Sequence, residues 1–280
     1  MERQKTIAKE FFLEGKGLQT GKEVKVLFYP AEERDGIIFV RKDLEESPAI
    51  RLCELYDLDT DRRSKIGFGK AQHYVETVEH VLAALWGADI DNIRIELTSS
   101  ELPALDGSAL EFLKALEDAG TKEQQARREY VEVKEPLWTE DNESFLGIFP
   151  GSDFKISYLL EYPNPGIGRQ FFSKILDADL FQKEIAPART FCLKEEAEML
   201  LKSGYGKGAN FKNTLVIDKD GPVDNVLRFH DEPVRHKVLD LIGDLYILGR
   251  PIRGRVIAIR SGHRLNLELV RKIKALYKDR

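Results

Sequence analysis

The residues best suited to chemistry lie in one run, Pro233-Val234-Arg235-His236-Lys237-Val238-Leu239-Asp240-Leu241-Ile242-Gly243-Asp244. At 100° per residue, a helix over this run gathers His236, Lys237, Asp240, Gly243 and Asp244 within an arc of about 120°. Val234, Val238, Leu239, Leu241, Ile242 and Leu245 fill the remaining circumference. A helix this apolar is expected to be buried, so its polar stripe must face something that satisfies it. His236 and Asp240 stand one turn apart and offer nitrogen and oxygen to one point, a donor pair that suits zinc. The same spacing is common on ordinary helices, where it makes an internal hydrogen-bond network or a solvated face. A metal site needs a third protein ligand, and the chain has five histidines from which to draw it.

Among them, His80 is the best candidate. It lies in Thr77-Val78-Glu79-His80, at the start of a predicted helix that runs through Leu82 and Leu85 to a stop at Gly87. Glu79 stands directly beside it. An acidic residue in a first helical turn complements the helix dipole, and a carboxylate beside a ligand can also deprotonate a metal-activated water. His263, in Ser261-Gly262-His263, is expected in a loop before the last helix. It suits either a general acid near neutral pH or an exposed loop position. His73, in a predicted strand, and His230, ahead of the long helix, are read as surface or packing residues.

The elements that must position these groups read as α+β. Strand-like runs fall at 24–29, 36–40, 65–68 and 93–97, and again at 130–133, 145–149, 154–160 and 256–259. Ser108-Ala109-Leu110-Glu111 has a capping-box pattern that opens a helix fading by Gly120. The polar stretch 121–129 is expected to be a linker or a frayed helix end. Each half closes in the order helix, strand, helix. The expectation is therefore two similar domains, 1–125 and 126–280, each layering helices on a β-sheet, with the active site at the interface between them. The helices at Thr77 and Pro233 then occupy equivalent positions and face one another.

Composition narrows the function. With 280 residues, 42% hydrophobic and 32% charged, the chain is globular rather than disordered. A net charge of −5 without any basic block excludes nucleic acid as the natural partner. Cys53 and Cys192 are isolated, which argues against a disulfide framework or a thiolate zinc site. The N-terminus lacks the apolar core of a signal peptide, and no run reaches the 18 or so apolar residues of a membrane span. A cytoplasmic protein without an integral membrane segment is expected.

Several stretches, taken together, carry a resemblance. They are Gly15-Lys16-Gly17-Leu18-Gln19-Thr20-Gly21, Thr77-Val78-Glu79-His80, Leu102-Pro103-Ala104-Leu105-Asp106-Gly107-Ser108, Ala188-Arg189-Thr190-Phe191, Glu232-Pro233-Val234-Arg235-His236-Lys237, Asp240-Leu241-Ile242-Gly243-Asp244 and Ser261-Gly262-His263. In this order they make the chain resemble the zinc-dependent UDP-3-O-acyl-N-acetylglucosamine deacetylases of lipid A biosynthesis, over nearly its whole length. The resemblance implies His80, His236 and Asp240 as zinc ligands, with ferrous iron able to fill the same set in the cell. It implies Glu79 as general base on the metal's water and His263 as the general acid that protonates the leaving amine. It further implies that Asp244 orients that histidine, that Thr190 helps hold the oxyanion, and that Lys237 and Phe191 contact substrate. The implied partner is a UDP-linked, acylated amino sugar, handled by a monomer.

The chain departs from the family pattern in three places. Residues 57–64 lack the histidine or asparagine-threonine run expected near the sugar, the Gly-rich loop 206–211 reads Gly-Lys-Gly-Ala-Asn-Phe, and Val226 stands where a glycine is expected. The loop belongs to an insert near 192–213, which is either a simple turn or part of a passage for the fatty acyl chain. Two other readings are a zinc hydrolase of a different N-acetyl sugar and a non-catalytic nucleotide-sugar binder. An acid, a base and an open coordination position argue against the binder, since a structural metal needs none of them.

Overall fold

Alternation of buried and solvated side chains builds the sheets. The computed structural model describes residues 2–52, 57–60, 63–67, 70 and 72–277. The first half runs β1 (Arg3–Ile7), β2 (Phe11–Lys16), β3 (Glu23–Pro30), β4 (Ile37–Arg41), β5 (Ala49–Arg51), β6 (Asp57–Thr60), β7 (Ser64–Gly67), β8 (Tyr74–Glu76), α1 (Glu79–Gly87), β9 (Ile93–Leu97), α2 (Leu110–Ala119) and β10 (Thr121–Arg127). In β3, Val24, Val26 and Phe28 are buried; in β9, Ile93, Ile95 and Leu97 are, with Arg94 and Glu96 turned out. That period of two is what a sheet with one face on a core requires.

The second half runs β11 (Val131–Glu132), β12 (Leu137–Asp141), β13 (Ser144–Phe149), β14 (Phe154–Glu161), β15 (Arg169–Ile175), α3 (Ala178–Leu180), β16 (Phe191–Leu193), α4 (Lys194–Lys202), β17 (Leu215–Asp218), β18 (Gly221–Pro222), α5 (Glu232–Tyr246), β19 (Ile252–Ile259) and α6 (His263–Tyr277). One sheet has the order β2-β3-β9-β4-β5 and another β12-β13-β19-β14-β15. Along these two paths pairing is antiparallel except β4 with β9 and β14 with β19, which are parallel; β11 adds to the second sheet by pairing parallel with β19. The two halves therefore repeat one topology, and we propose that the repeats are the two expected domains. The β6-β7-β8 and β16-β17-β18 sheets are additions to the repeat, inserted between its fourth strand and α1 in the first half and α5 in the second.

Helices α1 and α5 pack against each other at the centre, α2 beside α1 and α6 beside α5. Nearly every residue of α1 and α5 is buried, in a core that joins Leu82 and Leu85 to Val238, Leu241 and Leu245. Tyr246 extends this contact by donating to the Ile90 carbonyl at 2.8 Å.

Four local expectations give way. Residues 121–127 form β10, paired antiparallel with β1, and the expected boundary at 125 falls inside this strand. Its side chains are polar because only Ala126 is buried; a two-stranded ribbon needs its backbone bonds rather than an apolar face. The capping box does not form. Helix α2 starts at Leu110, and Ser108 instead accepts from the Leu110 amide and donates to Asp106, an arrangement local to the Asp-Gly turn. His263 is the first residue of α6 rather than a loop residue, and His73 precedes β8 rather than lying in a strand. Cys53 and Phe68, the last residue of the run expected at 65–68, lie outside the described residues.

Candidate metal centre and active site

Two close backbone approaches set the site. Thr77 adopts φ +58°, rare for a β-branched residue, at the turn that delivers Glu79 and His80 to the start of α1. It is held there by its amide on the Ser64 carbonyl (2.9 Å) and by its hydroxyl on buried Glu101 (3.2 Å). Opposite, on α5, a Cβ at Gly243 would sit 2.0 Å from the Glu79 carbonyl oxygen. Glycine at 243 is what lets α5 lie directly on the first turn of α1. This accounts for the one member of the polar stripe with no side chain.

The approach brings His80, His236 and Asp240 together, all buried, with one potential ligand atom from each within 4.8 Å of the others. His236 Nε2 lies 3.2 Å from Asp240 Oδ1, and His80 Nε2 lies 3.7 Å from the same oxygen. Bonds of 2.0–2.1 Å in a tetrahedron imply ligand–ligand edges of about 3.4 Å, so the spacing fits an ion at the centre. His236 Nδ1 is 3.0 Å from the Ala188 carbonyl, which can only accept, so this nitrogen carries a proton and Nε2 is the atom turned toward Asp240. Burial, with His236 beside it, pushes the His80 imidazole down to about 3, leaving the neutral ring that a ligand must be. Burial alone would raise the Asp240 carboxyl, but His236 and Lys237 hold it well below the usual carboxylate range. Lys237 Nζ lies 2.8 Å from Asp240 Oδ2, which leaves Oδ1 for an ion. Two imidazoles and a carboxylate form a donor set for zinc or ferrous iron.

Glu79 and His263 flank this group. His263 Nε2 is 3.9 Å from Glu79 Oε1 and 3.8 Å from Asp240 Oδ2. Its Nδ1 donates to Asp244 Oδ2 at 2.8 Å. Burial opposes charge on His263, but Asp244, its hydrogen bond, Asp240 and Glu79 outweigh it and raise the group to about 9. At pH 7 the ring is therefore an imidazolium with a proton to give. Burial pushes Glu79 up to about 8 despite the nearby His263. A dication at the three ligands would favour its carboxylate form, the form that takes a proton.

A cavity of about 810 Å³ opens over these groups. Thr190 and Phe191 line it and arrive from the start of β16. The chain is anchored just before them by the buried Arg189–Glu232 pair at 2.9 Å, and the Thr190 amide donates to the Gly107 carbonyl. Phe191 packs edge-on to His236, with Lys237 5.9 Å from its ring centre. Its lining also includes the apolar Leu200, Leu201 and Phe211 from the insert and Val216 and Val223 from just beyond it.

The family described as UDP-3-O-acyl N-acetylglycosamine deacetylase matches residues 4–275. The chain belongs to that family. It is 40% identical over 279 residues to the UDP-3-O-acyl-N-acetylglucosamine deacetylase of Trichormus variabilis, covering 98% of this chain and 99% of the relative. It is 41% identical over 274 residues to the protein of that name from Anaeromyxobacter sp. (97% and 88% covered). A Chlamydia caviae relative of the same name is 39% identical over 274 residues, with 96% of each chain covered.

In this member of the deacetylase family, every residue expected at the site lies at or beside the cavity. His80, His236, Asp240, Glu79, His263, Thr190, Phe191 and Lys237 line it, and Asp244 stands behind His263. His230 is exposed and takes no part. Sequence reasoning missed Ser64, Asn266 and Glu101. Asn266 donates to Asp244 Oδ2 at 2.8 Å; its i+3 spacing from His263 was a usable signal once α6 is known to start there. Ser64 donates to Asp244 Oδ1 from a polar stretch with no periodicity to mark it. Glu101 accepts from the Gln19 and Thr20 amides, each at 2.8 Å, and fixes the Gly17–Gly21 loop against the cavity. Among the described residues no helix is long and apolar enough to cross a membrane.

Proposed function

We propose that the chain hydrolyses the N-acetyl group of a UDP-3-O-acylated N-acetylglucosamine, releasing acetate and a free amine, as a step of lipid A biosynthesis in the cytoplasm. Zinc is the proposed ion, held by His80, His236 and Asp240, and ferrous iron suits the same donors. When bound, it lowers the pKa of a coordinated water and polarises the acetyl carbonyl. Glu79 takes the proton of the attacking water. Thr190 offers a hydroxyl to the oxygen on which negative charge develops. His263, charged at neutral pH and held by Asp244, gives its proton to the amine, which leaves poorly without it. Lys237 and Phe191 bear on the substrate. The apolar lining residues Leu200, Leu201, Phe211, Val216 and Val223 suit a fatty acyl chain.

The observation that carries this reading is the pair Glu79 and His263, 3.9 Å apart on the flank of a three-ligand group. A site that only held an ion would need neither. The test is acetate release from UDP-3-O-acyl-N-acetylglucosamine by the purified protein, before and after chelation and zinc repletion. Glu79→Ala is expected to lose about 10²- to 10⁴-fold in kcat while retaining zinc. Equal turnover of the substrate lacking its acyl chain would overturn the substrate assignment. Unchanged turnover in Glu79→Ala would overturn the base.

A further inference from the structure

Ser64 has no assigned part in the reaction, yet it touches both ends of it. It lies on β7 and is completely buried. Its hydroxyl donates to Asp244 Oδ1 and sits 3.2 Å from His263 Nδ1. Its amide donates to Glu79 Oε2 at 3.2 Å, and its carbonyl accepts the Thr77 amide at 2.9 Å. The partners belong to α5, α6 and the turn into α1, which converge on the cavity.

We propose that Ser64 is a positioning residue that holds the acid and the base in register with each other. The hydroxyl side of the argument runs through Asp244. One oxygen of that buried carboxylate accepts from His263 Nδ1 and Asn266 Nδ2, both at 2.8 Å; the other accepts from Ser64. Removing the hydroxyl leaves that second oxygen without the donor that fixes it. A buried carboxylate oxygen in that state turns toward whatever donor remains, and here those donors are His263 and Asn266. Rotation of the carboxylate swings the imidazole it holds, and with it the Nε2–H that faces the cavity. The backbone side is direct: the Ser64 amide fixes Glu79 Oε2 and so leaves Oε1 toward His263. Acid and base come from different halves of the chain, and Ser64 bonds to the machinery of both.

This inference rests on Glu79 and His263 being base and acid, so the experiment separates the two. Ser64→Ala, Ser64→Cys, Ser64→Thr, His263→Ala, Glu79→Ala and the Ser64→Ala/His263→Ala double variant are compared as zinc-loaded proteins. Ser64→Ala is expected to lower kcat about 10- to 100-fold, with KM within about twofold and zinc content unchanged. Ser64→Cys, nearly isosteric but a weaker donor, falls between Ala and wild type. Ser64→Thr, which keeps the hydroxyl, recovers most of the rate. In the His263→Ala background the Ser64→Ala change costs less than about threefold, because its effect passes through that ring. In metal-free, ¹⁵N-labelled protein the His263 Nδ1–H resonance shifts in Ser64→Ala, a readout independent of turnover.

Wild-type kcat in Ser64→Ala, a fully additive double variant, or zinc lost in step with activity would each overturn the role of Ser64. If His263→Ala and Glu79→Ala are inactive while Ser64→Ala is not, the acid–base reading stands and only this inference fails. If His263→Ala turns over at the wild-type rate, both fall.

Discussion

Gly243→Ala is the sharpest perturbation available, because the atom it would strike is main chain. The added Cβ would meet the Glu79 carbonyl oxygen at 2.0 Å, with the Glu79 carbonyl carbon at 2.7 Å and Cα at 2.8 Å. Contacts of that kind essentially never fall below 3.0 Å, so α5 and α1 must part by about 1 Å. A metal site tolerates about 0.2 Å in each bond, and His80 rides on one helix while His236 and Asp240 ride on the other. The displacement is about five times that tolerance. Overpacking against backbone costs about 3 kcal/mol, roughly 6–12 °C in Tm for a chain of this size. The same 1 Å separates base from acid, and misplacement on this scale costs about 100-fold in rate. Leu241→Ala on the same helix is the control: it leaves a cavity worth about 2–5 kcal/mol but pushes nothing apart. The assay is thermal unfolding, zinc affinity by competition with a chelator, and kcat/KM. Gly243→Ala should lose about 100-fold in zinc affinity and in kcat/KM, whereas Leu241→Ala should lose stability with zinc affinity held within about threefold. Wild-type zinc affinity in a destabilised Gly243→Ala protein would refute the claim that this helix contact sets the ligand spacing.

Other outcomes follow from single contacts. His263 is raised to about 9 from an ordinary value of 6.5, so it is charged below both values and loses its proton as pH rises through about 9; turnover should fall along that limb, and a pH–rate profile of His263→Gln should lack it. Lys237→Met removes the donor on Asp240 Oδ2 and should weaken zinc binding about 10- to 100-fold, measured by dialysis against a chelator. Thr190→Val keeps the shape without the hydroxyl, and kcat should drop about 100- to 1,000-fold with KM nearly unchanged if Thr190 faces the developing charge. Glu101→Gln places an amide group against donors from Gln19, Thr20 and Thr77; a loss of about 1–3 kcal/mol and a raised KM are expected, read by denaturant unfolding and steady-state kinetics.

What could be read in advance followed a rule of spacing. The polar stripe of α5 was legible because period and residue type agree, and the pairing of α1 with α5 followed from the matching order of elements in the two halves. Gly243 could be flagged as a place of close approach, but not what approaches it. The ribbon β1–β10 was misread because its strands satisfy their backbones in each other and leave no hydrophobic period in the side chains. Ser64 was invisible for a related reason. Its function depends on contacts 180 and 199 residues away, and nothing in its neighbours' spacing encodes them. His263 was assigned its role through a resemblance, while its place as first residue of α6 was obscured by Gly262 before it.

The meeting of α1 and α5 has a further consequence. An ion bonded to His80 on one half and to His236 and Asp240 on the other is a cross-link between the halves, and its binding free energy adds to that of folding. With free metal at about a thousand times its dissociation constant, this contributes about 4 kcal/mol. The lifetime of such a protein would then follow the metal supply of its surroundings, with starved molecules opening between the halves and yielding first to proteolysis. Equal digestion rates with and without a chelator would show that the cross-link carries no such weight.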